Sequence, residues 1–212
     1  PNKLELSLKE AQNYLADLPL MVYMDLKVVN QDLEIMTESM VKSQSHHANT
    51  ELVQELTENT VTGGVAMINH ALAEMWQETD DILMHDWYLA LLASAFGNLV
   101  FIDQPGELYR QHSDNVLGAR TLSKRFKKWI RPHILFAVYW DLIKNSQKQA
   151  CHLLQMPLSQ SNRELIEAFV TIMDKSMLER FRILRKYGLR KNKAFHTLVF
   201  TTLIVTKFAY KE

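Results

Sequence analysis

Two short stretches gather the side chains that can do chemistry. Met84-His85-Asp86-Trp87 stands at the mouth of the apolar run 88–97 and sets a carboxylate beside an imidazole. Tyr109-Arg110-Gln111-His112-Ser113-Asp114-Asn115 follows after a short strand-like connection. Clusters of His, Asp, Arg and Asn fixed on rigid neighbours are how catalytic sites are usually assembled. Asp86 reads in two ways: as a general base that takes the proton of an acceptor hydroxyl, or as an N-cap of the helix that begins here. A cap, however, requires neither His85 nor a second polar cluster downstream. His112, with Arg110 and Asn115 close in sequence, offers an imidazole for Mn2+ or, with the arginine, a clamp for a diphosphate. A plain polar loop after an edge strand has the same spacing.

Other candidates are weaker. Thr62-Gly63-Gly64 permits close approach of the backbone to a ligand, and it also describes a tight turn. Asp25 closes the apolar run 20–24, at a strand end where open α/β sheets place ligands; an ordinary turn aspartate sits there equally well. His46-His47 lies in a polar loop without Cys or Glu at ligand spacing, which argues against a metal site. His133, His152 and His196 fall within helical patterns and read as surface or packed histidines. The chain carries no nucleophile elbow and no phosphate-cradling glycine loop ending in Lys-Ser/Thr.

The elements that must hold these residues follow from periodicity. The pattern predicts a helix over 3–16, ended before Pro19, then a buried strand over 20–24. A hairpin or bulge around Asn30-Gln31-Asp32 follows, and 37–50 reads mostly as loop. A short helix over 51–57, capped by Asn49 or Thr50, precedes the glycine loop and a strand ending near Asn69. Next come a short helix over 70–76, the apolar helix 86–96, and strands over 99–102 and 106–110. From residue 120 the pattern turns wholly helical, over 122–144, about 148–154, 161–186 and 193–210. No repeat or low-complexity linker marks the change.

A chain of 212 residues with 47% hydrophobic content can bury a substantial core in one or two domains. Its single cysteine, Cys151, excludes an intrachain disulfide and fits a reducing compartment. The sequence opens at Pro1 without a signal-peptide pattern and reads as a piece of a longer protein. A net charge of zero conceals a division: residues 1–119 hold 5 Lys+Arg against 18 Asp+Glu, and residues 120–212 hold 19 against 6. Two mutually attracting solvated faces would explain this, as would two units with different partners. Lys124-Arg125-Phe126-Lys127-Lys128-Trp129-Ile130-Arg131 interleaves cations with aromatics, which suits an anionic membrane surface. The apolar stretch 194–206 is shorter than the ~20 residues that span a bilayer, so it lies in the interface or closes a helical core. A nucleic-acid groove is the least favoured reading, because the cations alternate with apolar anchors.

Taken in order, Thr62-Gly63-Gly64-Val65-Ala66-Met67-Ile68-Asn69, Met84-His85-Asp86-Trp87, Phe101-Ile102-Asp103-Gln104-Pro105 and the run from Tyr109 to Ala119 resemble the second half of a family 2 glycosyltransferase of GT-A fold. The bacterial rhamnosyltransferase-like enzymes of cell-wall and capsular polysaccharide synthesis are the most similar group. Pro1-Asn2-Lys3-Leu4-Glu5 resembles the segment just after that family's acidic metal motif. The likeness covers residues 1–120 closely and the helical tail more loosely. It implies an α/β fold: the C-terminal, acceptor-side half of a GT-A domain over 1–119, then a basic, mainly helical, membrane-associating region over 120–212. It also implies inverting transfer of a sugar from a nucleotide diphosphate donor to a glycan or lipid-linked acceptor, at the inner face of the cell membrane.

By the same resemblance, Asp86 takes the catalytic-base position, His112 that of a metal or diphosphate ligand, and Thr62, Gly63 and Gly64 the acceptor-side loop. Asp25, His85, Trp87, Arg110, Gln111 and Asn115 complete the expected binding residues. A divalent Mg or Mn ion is implied, its main acidic ligands lying upstream of Pro1 with the nucleotide-binding half. The adjacent pair Asp80-Asp81 does not replace them, so the isolated chain is expected to turn over poorly. Relatives often carry cysteine where Gly64 stands. The rival expectation is a non-catalytic docking or assembly module that keeps the half-fold as an interaction surface.

Overall fold

β1 (Leu20–Val29) is the spine of the computed structural model, which describes residues 2–76, 82–110 and 132–210. All of β1 is buried except Lys27, and burial on both faces is why its sequence does not alternate. β4 (Asn98–Arg110) runs parallel along it, from Leu20 opposite Asn98 to Val29 opposite Arg110. β3 (Ala66–Ile68) pairs antiparallel with Met21, Val22 and Tyr23. β2 (Ile35–Thr37) pairs antiparallel with Val28 and Val29, closing the expected hairpin over Asn30-Gln31-Asp32. The result is a small mixed sheet in an α/β fold.

Two expectations about the strands change. The segments 99–102 and 106–110 form one strand, because the ladder shifts register around Asp25 instead of ending there. Pro105 falls opposite Asp25 at that shift, where a missing N–H is tolerated. Asp25 is therefore an interior residue of β1 and not its last.

Helices fill the connections. α1 (Lys3–Ala11) is shorter than its apolar pattern. α2 (Met40–Ser45) forms within the stretch expected as loop: Ser39 caps it, accepting the Lys42 amide at 3.0 Å. α3 (Leu52–Glu55) starts from Glu51, not from Asn49 or Thr50, and the Gln54 side chain reaches back to the Thr50 and Glu51 amides at 3.0 and 3.1 Å. α4 (His70–Ala73) is capped by Asn69, which accepts from Leu72 N at 3.0 Å. α5 (His85–Phe96) buries most of its length and stops at Gly97, where a Cβ would stand 1.9 Å from the Pro19 carbonyl oxygen.

The second half is α6 (Pro132–Leu153), α7 (Gln160–Val170), a 3-10 turn over Ile172–Asp174, α8 (Met177–Tyr187) and α9 (Ala194–Thr206). α6 continues through the break expected near residues 144–148. The expected helix 161–186 is divided by the turn, and Ser176 caps its second part. Gly188, in the left-handed region at φ 69°, ends α8. One apolar core joins the halves, from Tyr23, Leu91 and Leu92 to Trp140, Ile143, Phe169 and Phe200. The expected boundary near 118–121 and the segment 124–131 lie outside the described residues. No helix among the described residues is long and apolar enough to cross a membrane.

Candidate active site around Asp86

Met84, the residue flanking α5, has no side-chain group that can cap it. Asp86, in the first turn, assumes part of that task through Oδ1, which accepts the Trp87 amide at 2.8 Å. Its other oxygen, Oδ2, accepts the Gly63 amide at 3.1 Å. Both alternatives for Asp86 thus coexist: it satisfies an amide of the helix start without being the N-cap residue. A carboxylate has about four acceptor positions, so two amides fix its orientation and leave capacity for a hydroxyl. The side chain is half-buried, and its neighbour His85 is exposed.

The glycine loop meets this pair. A Cβ on Gly63 would lie 3.0 Å from His85 Nε2 and 3.6 Å from Asp86 Cβ, so the bare backbone permits the close approach. Gly64 is different. Its carbonyl accepts Lys3 Nζ at 2.8 Å, and an added Cβ would meet nothing nearer than the Glu107 carboxylate at 3.8 Å. Lys3 also pairs with Glu107 at 3.2 Å. A side chain is therefore tolerated at Gly64.

A cavity of about 190 Å³ opens beside Thr62 and Met84, with Asp25, Thr60, Trp87 and Lys191 also in its lining. Trp87 itself is buried and donates its indole N–H to the Glu55 carbonyl at 2.8 Å. Asp25, equally buried, is held by three protein donors: the Leu26 and Val41 amides at 2.7 and 3.1 Å and the Ser39 hydroxyl at 2.5 Å. Those bonds tie α2 to β1. Arg110 ends β4 opposite Val29, three residues beyond Glu107, and is exposed. Gln111, His112 and Asn115 lie outside the described residues, as does Asp80-Asp81. Among the described residues no three His, Cys, Asp or Glu side chains converge to hold a metal ion. They supply no ligand set for the divalent ion that the resemblance implies, and the chemistry derivable from them rests on Asp86.

Several polar residues around the cavity escape sequence reasoning. Glu55 is wholly buried, and neither carboxyl oxygen has a partner at hydrogen-bonding geometry. Burial pushes its carboxyl up to about 8; the nearby Asn49 and Thr60 donors oppose this, and the charges of Glu58 and Asp86 add to it. Tyr23 meets the Asn49 carbonyl at 2.7 Å and Thr60 Oγ1 at 2.9 Å, and burial holds its phenol well above the usual range. Lys191 donates to the Thr57 carbonyl. Its stem is partly exposed, but enclosure of the ammonium lowers its pKa against the pull of Glu58 and Glu55. The Asn192 amide donates to Glu58 Oε2 at 3.1 Å, and its side chain to Asn49 Oδ1 at 2.8 Å. From α6, Gln149 Oε1 accepts the Leu83 and Met84 amides at 3.1 and 3.4 Å, steadying the entry to α5. In sequence these are ordinary polar residues of a strand, helices and turns, and no spacing links them.

No family model matches the chain, and neither the curated proteins nor the solved structures yield a match.

Proposed function

We propose that this chain is the base-bearing, acceptor-side portion of an inverting glycosyltransferase, its first half corresponding to the C-terminal half of a GT-A domain. The observation that carries the reading is the Asp86 carboxylate, held by the Trp87 and Gly63 amides beside an exposed histidine, with Met84 and Trp87 on either side of it in sequence lining a cavity. Asp86 takes the proton of an acceptor hydroxyl as that oxygen bonds to the anomeric carbon of the donor sugar. The bond from that carbon to the diphosphate breaks, and the nucleoside diphosphate leaves from the opposite face. The cavity receives the acceptor, whose class is a glycan or lipid-linked hydroxyl compound in bacterial surface-polysaccharide synthesis. A deoxyhexose such as rhamnose is the donor sugar that the resemblance favours. Donor and divalent ion are presented by the half that the resemblance places upstream, and the protein works at the inner membrane face.

The test is Asp86→Asn in the full-length protein, assayed for sugar transfer from nucleotide-diphosphate sugars. Loss of the base should lower turnover by about 10²- to 10⁴-fold, with donor binding little changed and a modest fall in melting temperature, because asparagine keeps one of the two acceptors that Asp86 offers the Trp87 and Gly63 amides. Undiminished transfer would leave the chain as a non-catalytic docking module on the same half-fold.

A further inference from the structure

α8 and α9 pack antiparallel: Arg180, near the start of α8, donates from Nη2 to the Val205 carbonyl near the end of α9 at 2.7 Å. Each helix spends one side on the core, through Arg180 and Leu184 in α8 and through Phe200, Leu203 and Ile204 in α9. The exposed sides carry bulky apolar residues among the cations and polar groups expected of a solvated helix. Leu178, Phe181, Arg182 and Arg185 recur at the spacing of one helical face and are all exposed. On α9, Phe195 and Leu198 are exposed, Leu198 to 65%. The Arg185 guanidinium lies over the Phe181 ring at 5.9 Å. Across residues 175–210 nine lysines and arginines face a single acid, Glu179, which is engaged with Ser176.

Isolated exposed leucines need no explanation, but bulky apolar residues grouped on two adjacent helices and flanked by cations do. We propose that the α8–α9 hairpin is a docking face for an anionic bilayer surface, with Leu178, Phe181, Phe195 and Leu198 entering the interface and Arg182 and Arg185 meeting the headgroups. Charge complementarity selects this occupant. A nucleic-acid surface would use cations along a groove with stacking rings, whereas here aliphatic side chains share the face with the arginines. α9 is a 13-residue helix, so it lies along the surface and does not cross it. The biological purpose, bringing the cavity to a lipid-linked acceptor, rests on the function proposed above; the docking itself does not.

Cosedimentation of the full chain tests this, using phosphatidylglycerol–phosphatidylcholine vesicles against pure phosphatidylcholine. Binding to the first and not the second is expected, declining with salt. Arg182→Gln/Arg185→Gln should weaken it roughly 30-fold, at about fivefold per cation, and Leu178→Ser/Leu198→Ser should weaken it with the charges intact. All four positions are exposed, and unchanged thermal melts verify the fold. Absent binding, binding indifferent to both variants but lost on neutralising Lys124, Arg125, Lys127 and Lys128, stronger binding to DNA or RNA, or salt-sensitive self-association in its place would each overturn the proposal. Asp86→Asn should bind vesicles normally, so this proposal and the transferase reading fail independently.

Discussion

Glu55 and Asp86 are neighbouring carboxylates with opposite circumstances. Asp86 is half-buried and accepts two backbone amides, whereas Glu55 is wholly enclosed without a donor in bonding position. Glu55 therefore carries its proton in the fold up to about pH 8, against an ordinary value of 4.5. Between those values the folded chain binds the proton that the unfolded chain has released. The associated stability is complete below the lower value and is lost as pH rises through the upper one. Glu55→Gln keeps an uncharged group of the same shape and removes that loss. Its melting temperature should gain on wild type from pH 5 to about pH 8 and hold that gain above it, a difference on the order of a few kcal/mol of stability. Parallel melting curves at all pH values would mean that Glu55 is already ionised in the fold. The sequence shows Asp86 because a carboxylate beside His85 at a helix start is visible in one window. It cannot show Glu55, whose significance comes from burial in a core that joins residues far apart in sequence.

The junction between α5 and β4 leaves no room for a side chain. Gly97 passes so close to Pro19 that a methyl group would fall 1.9 Å from its carbonyl oxygen and 2.8 Å from its carbonyl carbon, both backbone atoms with little freedom to move. The same carbonyl accepts the Asn98 amide at 2.8 Å, starting the β1–β4 pairing. Gly97→Ala should cost about 2 kcal/mol or more, read as a lower urea midpoint. Gly64→Ala, with only ordinary contacts available, should stay within about 0.5 kcal/mol of wild type. Elements with long apolar runs, β1 and α5, are legible in the sequence because burial alone specifies them. α2 is not: six residues complete too few turns to display a period, and its start depends on Ser39. The joining of 99–102 and 106–110 into one strand is hidden because a register shift accommodates Pro105, which pattern reasoning treats as a break.

At the level of the whole chain, the acidic and basic halves share one core, and polar bonds cross between them. Ser146 donates to the Leu56 carbonyl at 2.6 Å, Asn162 to the Ala95 carbonyl at 2.8 Å, and Thr57 to the Arg190 carbonyl at 2.7 Å. Charge composition divides the molecule near residue 120, but packing does not follow that division, because it is built from apolar contacts between residues far apart in sequence. The chain should accordingly unfold in one calorimetric transition, with van't Hoff and calorimetric enthalpies agreeing; two resolved peaks would establish independent halves. The turn between α8 and α9 also has a second office: Lys191 and Asn192 grip Thr57, Glu58 and Asn49, and Lys193 holds the Ser43 carbonyl at 2.5 Å. The two halves are thereby joined by a polar clasp as well as through the core. A single nick after Arg190, exposed although its carbonyl is held by Thr57, would spare every helix and yet cut the clasp on the cavity wall.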